Sequence, residues 1–309
     1  QVAADRSRKE VEAFLQGDRE KGARYQTAAQ VTNCSALCLK YASDALEKAL
    51  EVEAQGKATT WRNVTTQYRV VADWHRQEAE AFLQGDQEKE TYFEAAAEVA
   101  VRLAVNLDIG SQAFDKALKA EAQGKSKLAT AWKKATRQYH VAVHWYRQEA
   151  EAFFQSDQEK RAYYRTVADI ANLSAECLNS ASQALDKSLE ANAQYQMVLK
   201  TTPAWRSSEL AIAWKNEELE KAWGKVAIEY QVAADYRIQE TEAFLQGDQD
   251  KSTCFKATAK AAEESAKHLE SAANVLEKEP VRKNAATRYQ QWNPGMDAVD
   301  TALTISGFH

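Results

Sequence analysis

The stretch Glu80–Lys89, EAFLQGDQEK, decides the fold, because it occurs four times: EAFLQGDREK at Glu12–Lys21, EAFFQSDQEK at Glu151–Lys160 and EAFLQGDQDK at Glu242–Lys251 are the other copies. In LQGD the glycine (Gly17, Gly85, Gly247) suits the left-handed conformation that closes a helix. The aspartate beside it (Asp18, Asp86, Asp248) suits the cap of the next helix, and the acid two residues on (Glu20, Glu88, Asp250) suits that helix's first turn. One helix stops and another starts. The third copy has Ser156 in place of glycine, a weaker stop, but keeps Asp157 as the cap.

Outward from this turn, the copies are spaced by 68, 71 and 91 residues. A Trp/Tyr pair precedes three of them (Trp61 and Tyr68, Trp132 and Tyr139, Trp223 and Tyr230), and AQGK follows two, placing further helix ends at Gly56 and Gly124. The unit is therefore a helical hairpin of about 70 residues, with helices roughly 45 to 55 Å long at 1.5 Å per residue. Trp61, Val64, Tyr68, Val71, His75, Glu78 and Phe82 step by three and four, an apolar stripe with a polar pair near its end. Trp132, Ala135, Tyr139, Ala142, Tyr146 and Phe153 repeat it, and the second helix answers with the smaller residues Val167, Ile170, Ser174, Cys177, Ala181, Leu185 and Leu189. Composition agrees: among 309 residues there are 57 alanines but only 10 glycines and 3 prolines, which nearly excludes a sheet-rich fold. The predicted class is all-α: tandem long antiparallel hairpins stacked in an elongated α-solenoid or bundle-like array.

The turn AFLQGDQEKETYFEAAAEVA, Ala81–Ala100, resembles the helix-turn-helix of tetratricopeptide (TPR) repeats, in which a Gly-Asp turn is followed by aromatic and alanine positions on the second helix. The resemblance covers about 20 residues of each unit and implies hairpin stacking and a scaffold role. It has two departures. The family's small residue after the turn is matched by Gly22 and Ser252 but not by Glu90 and Arg161. The family's unit is about 34 residues, with breakers that the long helices here lack.

The chain divides as one repeat domain: a partial unit at 1–56, units at 57–124, 125–202 and 203–279, and a cap at 280–309. Gln1–Asp5 aligns with Gln231–Asp235, in the middle of a first helix, so the sequence reads as a fragment of a longer repeat protein. Pro280 and Asn293-Pro294-Gly295 frame a degenerate copy, as the capping of a solenoid requires. The longest spacing marks an insertion around Thr201-Thr202-Pro203, expected to lengthen both helices of the third hairpin. There Trp205, Trp214 and Trp223 recur every nine residues, about half a turn out of phase, so Trp205 and Trp223 are expected in the core and Trp214 on the opposite face. Trp214 with Trp205, Arg206 and Lys215 is the predicted partner-binding tip.

Other constellations read as structure. His140 and His144 share a helix face, but other units carry Arg69 and Asp73 or Gln231 and Asp235 there, so no metal is expected. Cys34, Cys38, Cys177 and Cys254 suit a reduced chain, and the sequons at Asn33, Asn63 and Asn172 lie in predicted helices. Glu78 with Glu80 and Glu149 with Glu151 are two apart and do not face each other. No phosphate loop, dinucleotide motif or nucleophile–base grouping stands out, so neither catalysis nor a cofactor is expected. A net charge of −5 implies no nucleic acid partner, and no apolar run approaches the roughly 18 residues of a membrane span. The reading is a soluble, non-enzymatic scaffold for a protein or peptide, with a self-assembling structural protein and a membrane-active helical toxin as the alternatives.

Overall fold

The computed structural model describes residues 2–16, 18–51, 53, 58–201 and 207–279. Among these the chain is all-α, with eight helices and no strand: α1 (Val2–Leu15), α2 (Arg19–Glu51), α3 (Ala58–Gln84), α4 (Gln87–Ala122), α5 (Ser126–Phe154), α6 (Gln158–Thr201), α7 (Ser207–Leu245) and α8 (Gln249–Lys278). The predicted cap at 280–309 and the tip residues Trp205 and Arg206 lie outside the described residues. Two compact units are distinguished, Gln1–Glu176 with Arg237–Thr253, and Cys177–Tyr236 with Cys254–His309.

The turns form as their residues require. Asp86 N–H donates to the Ala81 carbonyl at 3.1 Å and Gly85 N–H to Phe82 at 3.1 Å, the paired bonds that satisfy a helix's last carbonyls. Gly85 and Gly247 sit at φ +72° and +73°, and Gly124 ends α4 at φ +73°. Ser156 is forced to φ +58°, so the cap and the packing hold a serine where glycine fits better. Asp86 then caps α4 by accepting from Lys89 N–H at 3.2 Å, and Asp18, Asp157 and Asp248 accept from Lys21, Lys160 and Lys251 at 3.0, 3.0 and 3.1 Å. One aspartate closes one helix and opens the next, so the hairpin needs no loop.

In the first unit α1 to α5 pack in sequence order. The second hairpin is antiparallel along its length: Trp74 stacks on Phe93, Tyr68 Oη donates to Asp108 at 3.2 Å, and Trp61 Nε1 donates to Asp115 at 3.0 Å. Trp61, Val64, Tyr68 and Val71 are buried with Leu103, Ala104 and Leu107, as the stripe predicts. Each landmark tryptophan also lies under a lysine from the preceding hairpin, Lys48 over Trp61 at 4.3 Å, Lys116 over Trp132 at 4.4 Å and Lys187 over Trp223 at 3.7 Å. Consecutive hairpins are thereby joined through the same pair of residue types. Gly110 on α4 lets Tyr139 on α5 approach until an added Cβ would lie 3.0 Å from the Tyr139 Cβ.

In the second unit Trp223, Val226 and Tyr230 are buried with Ala181, Ala184 and Ala191. Tyr230 Oη donates to Glu270 at 2.8 Å, and Ser188 Oγ to the Glu220 carbonyl at 3.0 Å. At 44 and 39 residues α6 and α7 exceed the 36 and 29 of α4 and α5, so the insertion lengthens the second helix of the third hairpin and the first helix of the fourth, while α5 keeps the ordinary length.

Candidate functional site

Of the predicted tip, Trp214 and Lys215 are described. Trp223 is only 3% exposed, as the nine-residue spacing predicts, whereas Trp214 is half-buried. Lys215 Nζ donates to the Glu277 and Glu279 carbonyls at 2.9 and 2.6 Å, where a cation complements the dipole at the end of α8. The lysine therefore already has a structural task.

Among the described residues an open aromatic surface lies elsewhere, at the turn end of the second and third hairpins in the first unit. Tyr92 at the start of α4 stacks on Phe153 at the end of α5, with centroids 5.2 Å apart and planes at 26°. The equivalent pair one hairpin on, Tyr163 and Phe244, stacks at 5.4 Å and 28°. Trp74 lies 5.9 Å from Phe93 and from Phe154, and Trp145 lies 5.9 Å from Tyr164. Much of this ladder stays in water: Phe154 is 52% exposed, Tyr92 41% and Tyr163 38%. Phe154 replaces the leucine found at Leu15, Leu83 and Leu245, and Tyr92 and Tyr163 stand where other units have Arg24 and Cys254. The rings are enriched where the repeat departs from itself.

Beside Phe153 is a charge cluster built around one buried glutamate. One glutamate recurs two residues before each turn motif, as Glu10, Glu78, Glu149 and Glu240. Glu149 is fully buried; Arg102 on α4 donates to its Oε1 at 2.8 Å, and Arg161 on α6 lies 3.9 Å away. Arg102 also reaches Glu98 at 2.6 Å, Arg165 approaches Glu98 at 3.5 Å, and Arg161 stacks on Phe153 at 4.7 Å. Tyr146 Oη donates to Asp169 at 2.9 Å. Burial pushes the Glu149 carboxyl up from its ordinary range against the pull of Arg102, while the hydrogen bond from Arg102 draws Glu98 down. Arg102, Arg161 and Arg165 replace Cys34, Gly22 and Gln26 of the first unit, so this cluster is also particular to these two hairpins. Elsewhere the same glutamate is served locally, by His75 Nδ1 at 2.9 Å from Glu78 and by Arg237 Nη1 at 2.8 Å from Glu240. Sequence spacing shows the local pairs at three residues, but Arg102 is 47 residues from Glu149.

A depression of about 540 Å³ at the first turn, lined by Lys9, Asp18, Glu20, Lys21, Arg24, Tyr25 and Leu83, mixes charges of both signs, and Arg24 is already paired with Glu20 at 3.0 Å. Among the described residues no three metal-ligating side chains come together, His140 and His144 are exposed, and no disulfide joins any of the four cysteines. No helix among them is long and apolar enough to cross a membrane. Comparison with known proteins finds no family model that matches the chain and no curated protein that matches it.

Proposed function

We propose that this chain is a non-enzymatic helical-repeat scaffold that binds another polypeptide through the exposed aromatic end of its second and third hairpins. The observation that carries the reading is the exposure of Tyr92 and Tyr163, stacked on Phe153 and Phe244 of neighbouring helices, and of Phe154, which packs at 5.9 Å against Trp74. Preordered aromatics give large contact area at little entropic cost, which is why such rings dominate interface energetics. Residues that recur from unit to unit support it from the other direction: the turn aspartates cap helices, and the landmark tryptophans and tyrosines are spent on packing and hydrogen bonds. What is left for recognition is where the repeat varies. The turn-level resemblance to TPR proteins points to the same kind of role.

Quantitative affinity capture from the source cell tests this, comparing the wild-type chain with a Phe154→Ser/Tyr163→Ser variant. Loss of one or more specific partners in the variant, with helical content and melting unchanged, is expected; an identical partner list refutes the assignment of the surface. The same capture with Trp214→Ala reports on the tip. The second reading, self-assembly, draws on the same open rings, and light scattering separates the two: a scaffold stays monomeric with rising concentration, whereas an assembling protein does not.

A further inference from the structure

The solvent face of α5 carries cations with no carboxylate among them. Between Glu121 and Glu149 the sequence has no Asp or Glu but holds Lys125, Lys127, Lys133, Lys134, Arg137 and Arg147, within a chain whose net charge is −5. All but Lys125 are exposed, as are His140 and His144 between Arg137 and Arg147. Trp132, Ala135, Tyr139, Ala142 and Tyr146 take the buried side of the helix. Steps of three and four residues align the cations along the other side, and from Lys127 to Arg147 the run is about 30 Å long at 1.5 Å per residue.

Other helices set a carboxylate three or four residues from an exposed cation, as in Arg8 with Asp5, Arg24 with Glu20, Arg76 with Asp73 and Lys221 with Glu217. On α5 that device is missing. Lys133 reaches Glu121 on α4 at 3.0 Å, while Lys134, Arg137 and Arg147 have no carboxylate partner among the described residues. Arg137 is three residues from Lys134 and four from Lys133, so like charges face one another, which works against the helix by as much as opposite pairs would favour it. The hairpin itself does not require this charge. On α7 the equivalents of Lys133, Arg137, His144 and Arg147 are Gly224, Ile228, Asp235 and Ile238, and α3 pairs its Arg62 with Glu53.

We infer that the solvent face of α5 binds an acidic segment of another polypeptide, laid along the helix with its carboxylates against Arg137, Arg147 and the lysines. An extended chain rises about 3.3 Å per residue, so the run accommodates roughly nine residues. The guanidinium forks of Arg137 and Arg147 suit carboxylates, with which they make paired hydrogen bonds. A longer polyanion fits less well, because the exposed Glu121 and Glu151 close the run at its two ends and a nucleic acid carries phosphates at every step past them. Apart from the two imidazoles no ring is exposed between the cations for bases to stack on, and no apolar side chain is exposed there to enter a bilayer. The cations are a different set of residues from the aromatic end, and the inference does not rest on that reading.

The test is fluorescence anisotropy of a labelled peptide of Asp, Glu and Gly, about ten residues long, titrated with the whole chain. Saturable binding is expected, weakening about tenfold or more between about 50 and 300 mM salt. Lys134→Glu with Arg137→Glu should weaken it about tenfold or more at the lower salt. Lys256→Glu with Lys260→Glu, the same change of net charge at exposed positions of α8, should leave it unchanged, as should Phe154→Ser at the aromatic end. All four lysine and arginine positions are exposed, so circular dichroism should show both double variants folded. No saturable binding, an equal loss in the two double variants, or indifference to salt overturns the inference. Tighter binding of an oligothymidylate of equal charge, or of phosphatidylserine vesicles, than of the peptide overturns it as well.

Discussion

The recurrent glutamate offers a perturbation in which one residue type, at one repeat position, sits in four different environments. Glu149 has no exposed side-chain surface and is held by Arg102, whose side chain is itself 17% exposed. Glu240 is 3% exposed beside Arg237 at 7%, Glu78 is 13% exposed beside His75, and Glu10 is half-buried. Truncating one partner of a buried pair costs about 3–5 kcal/mol, because the other charge is left desolvated and unpaired, whereas a pair in contact with water is worth about 1 kcal/mol or less. Glu149→Ala and Glu240→Ala should therefore destabilise by about 3 kcal/mol, Glu78→Ala by about 1 kcal/mol and Glu10→Ala by less than about 0.5 kcal/mol. Replacing both partners, Arg102→Met with Glu149→Leu, removes the stranded charge and should recover most of the loss. Urea unfolding followed by circular dichroism at constant pH measures the series, provided the slope of the transition is unchanged between variants. Four equal costs, or a double variant as unstable as the sum of its singles, would refute the reasoning.

Ser156→Gly should stabilise by about 0.5–1 kcal/mol, since the left-handed conformation costs a non-glycine residue roughly 1–2 kcal/mol and glycine gives back part of this as unfolded-chain entropy; thermal melting checks it, with Gly85→Ser expected to move the other way. The cap aspartates Asp86, Asp157 and Asp248 are held below the ordinary carboxylate range by hydrogen bonds from Lys89, Lys160 and Lys251, so their stabilisation is complete above the unfolded value near pH 4 and is lost as pH falls through the folded values. Glu149 runs opposite: its folded value is raised, so its contribution is complete below the unfolded value and falls as pH rises through the folded one, and the cost of Glu149→Gln should be smaller at pH 7 than at pH 4; chemical denaturation at the two pH values decides it. Burial and a carboxylate acceptor push the phenols of Tyr68, Tyr146 and Tyr230 well above the usual tyrosine range, so ultraviolet titration should leave these three protonated until the chain unfolds.

Much of the fold is legible because its punctuation is local. Gly85-Asp86 carries both a helix stop and a helix start within two residues, and the three-and-four stepping of Trp61, Val64 and Tyr68 marks the buried face without reference to any partner. The candidate site is less legible because its parts come from different helices. Arg102 looks like an ordinary surface cation until α4 lies against α5, and Phe154 looks like one more member of the apolar stripe although half of it is in water. A usable signal was present in both cases, since each residue breaks the repeat: arginine where other units have Cys34 and Leu173, phenylalanine where they have leucine. Lys48, Lys116 and Lys187 carried the converse signal, recurring with the repeat because each covers the next hairpin's tryptophan. At the tip, helical phase placed Trp223 in the core, but phase alone carries no information on a second helix alongside, and Trp214 is half-buried.

The most direct measurement of the scaffold reading is site-specific photo-cross-linking in the source cell, with a photoreactive side chain at position 154 and, as a control, at the exposed position 256. The account predicts a discrete adduct with a different polypeptide at 154 and none at 256. No adduct at 154, the same adducts at both positions, or adducts only with other copies of this chain would contradict it.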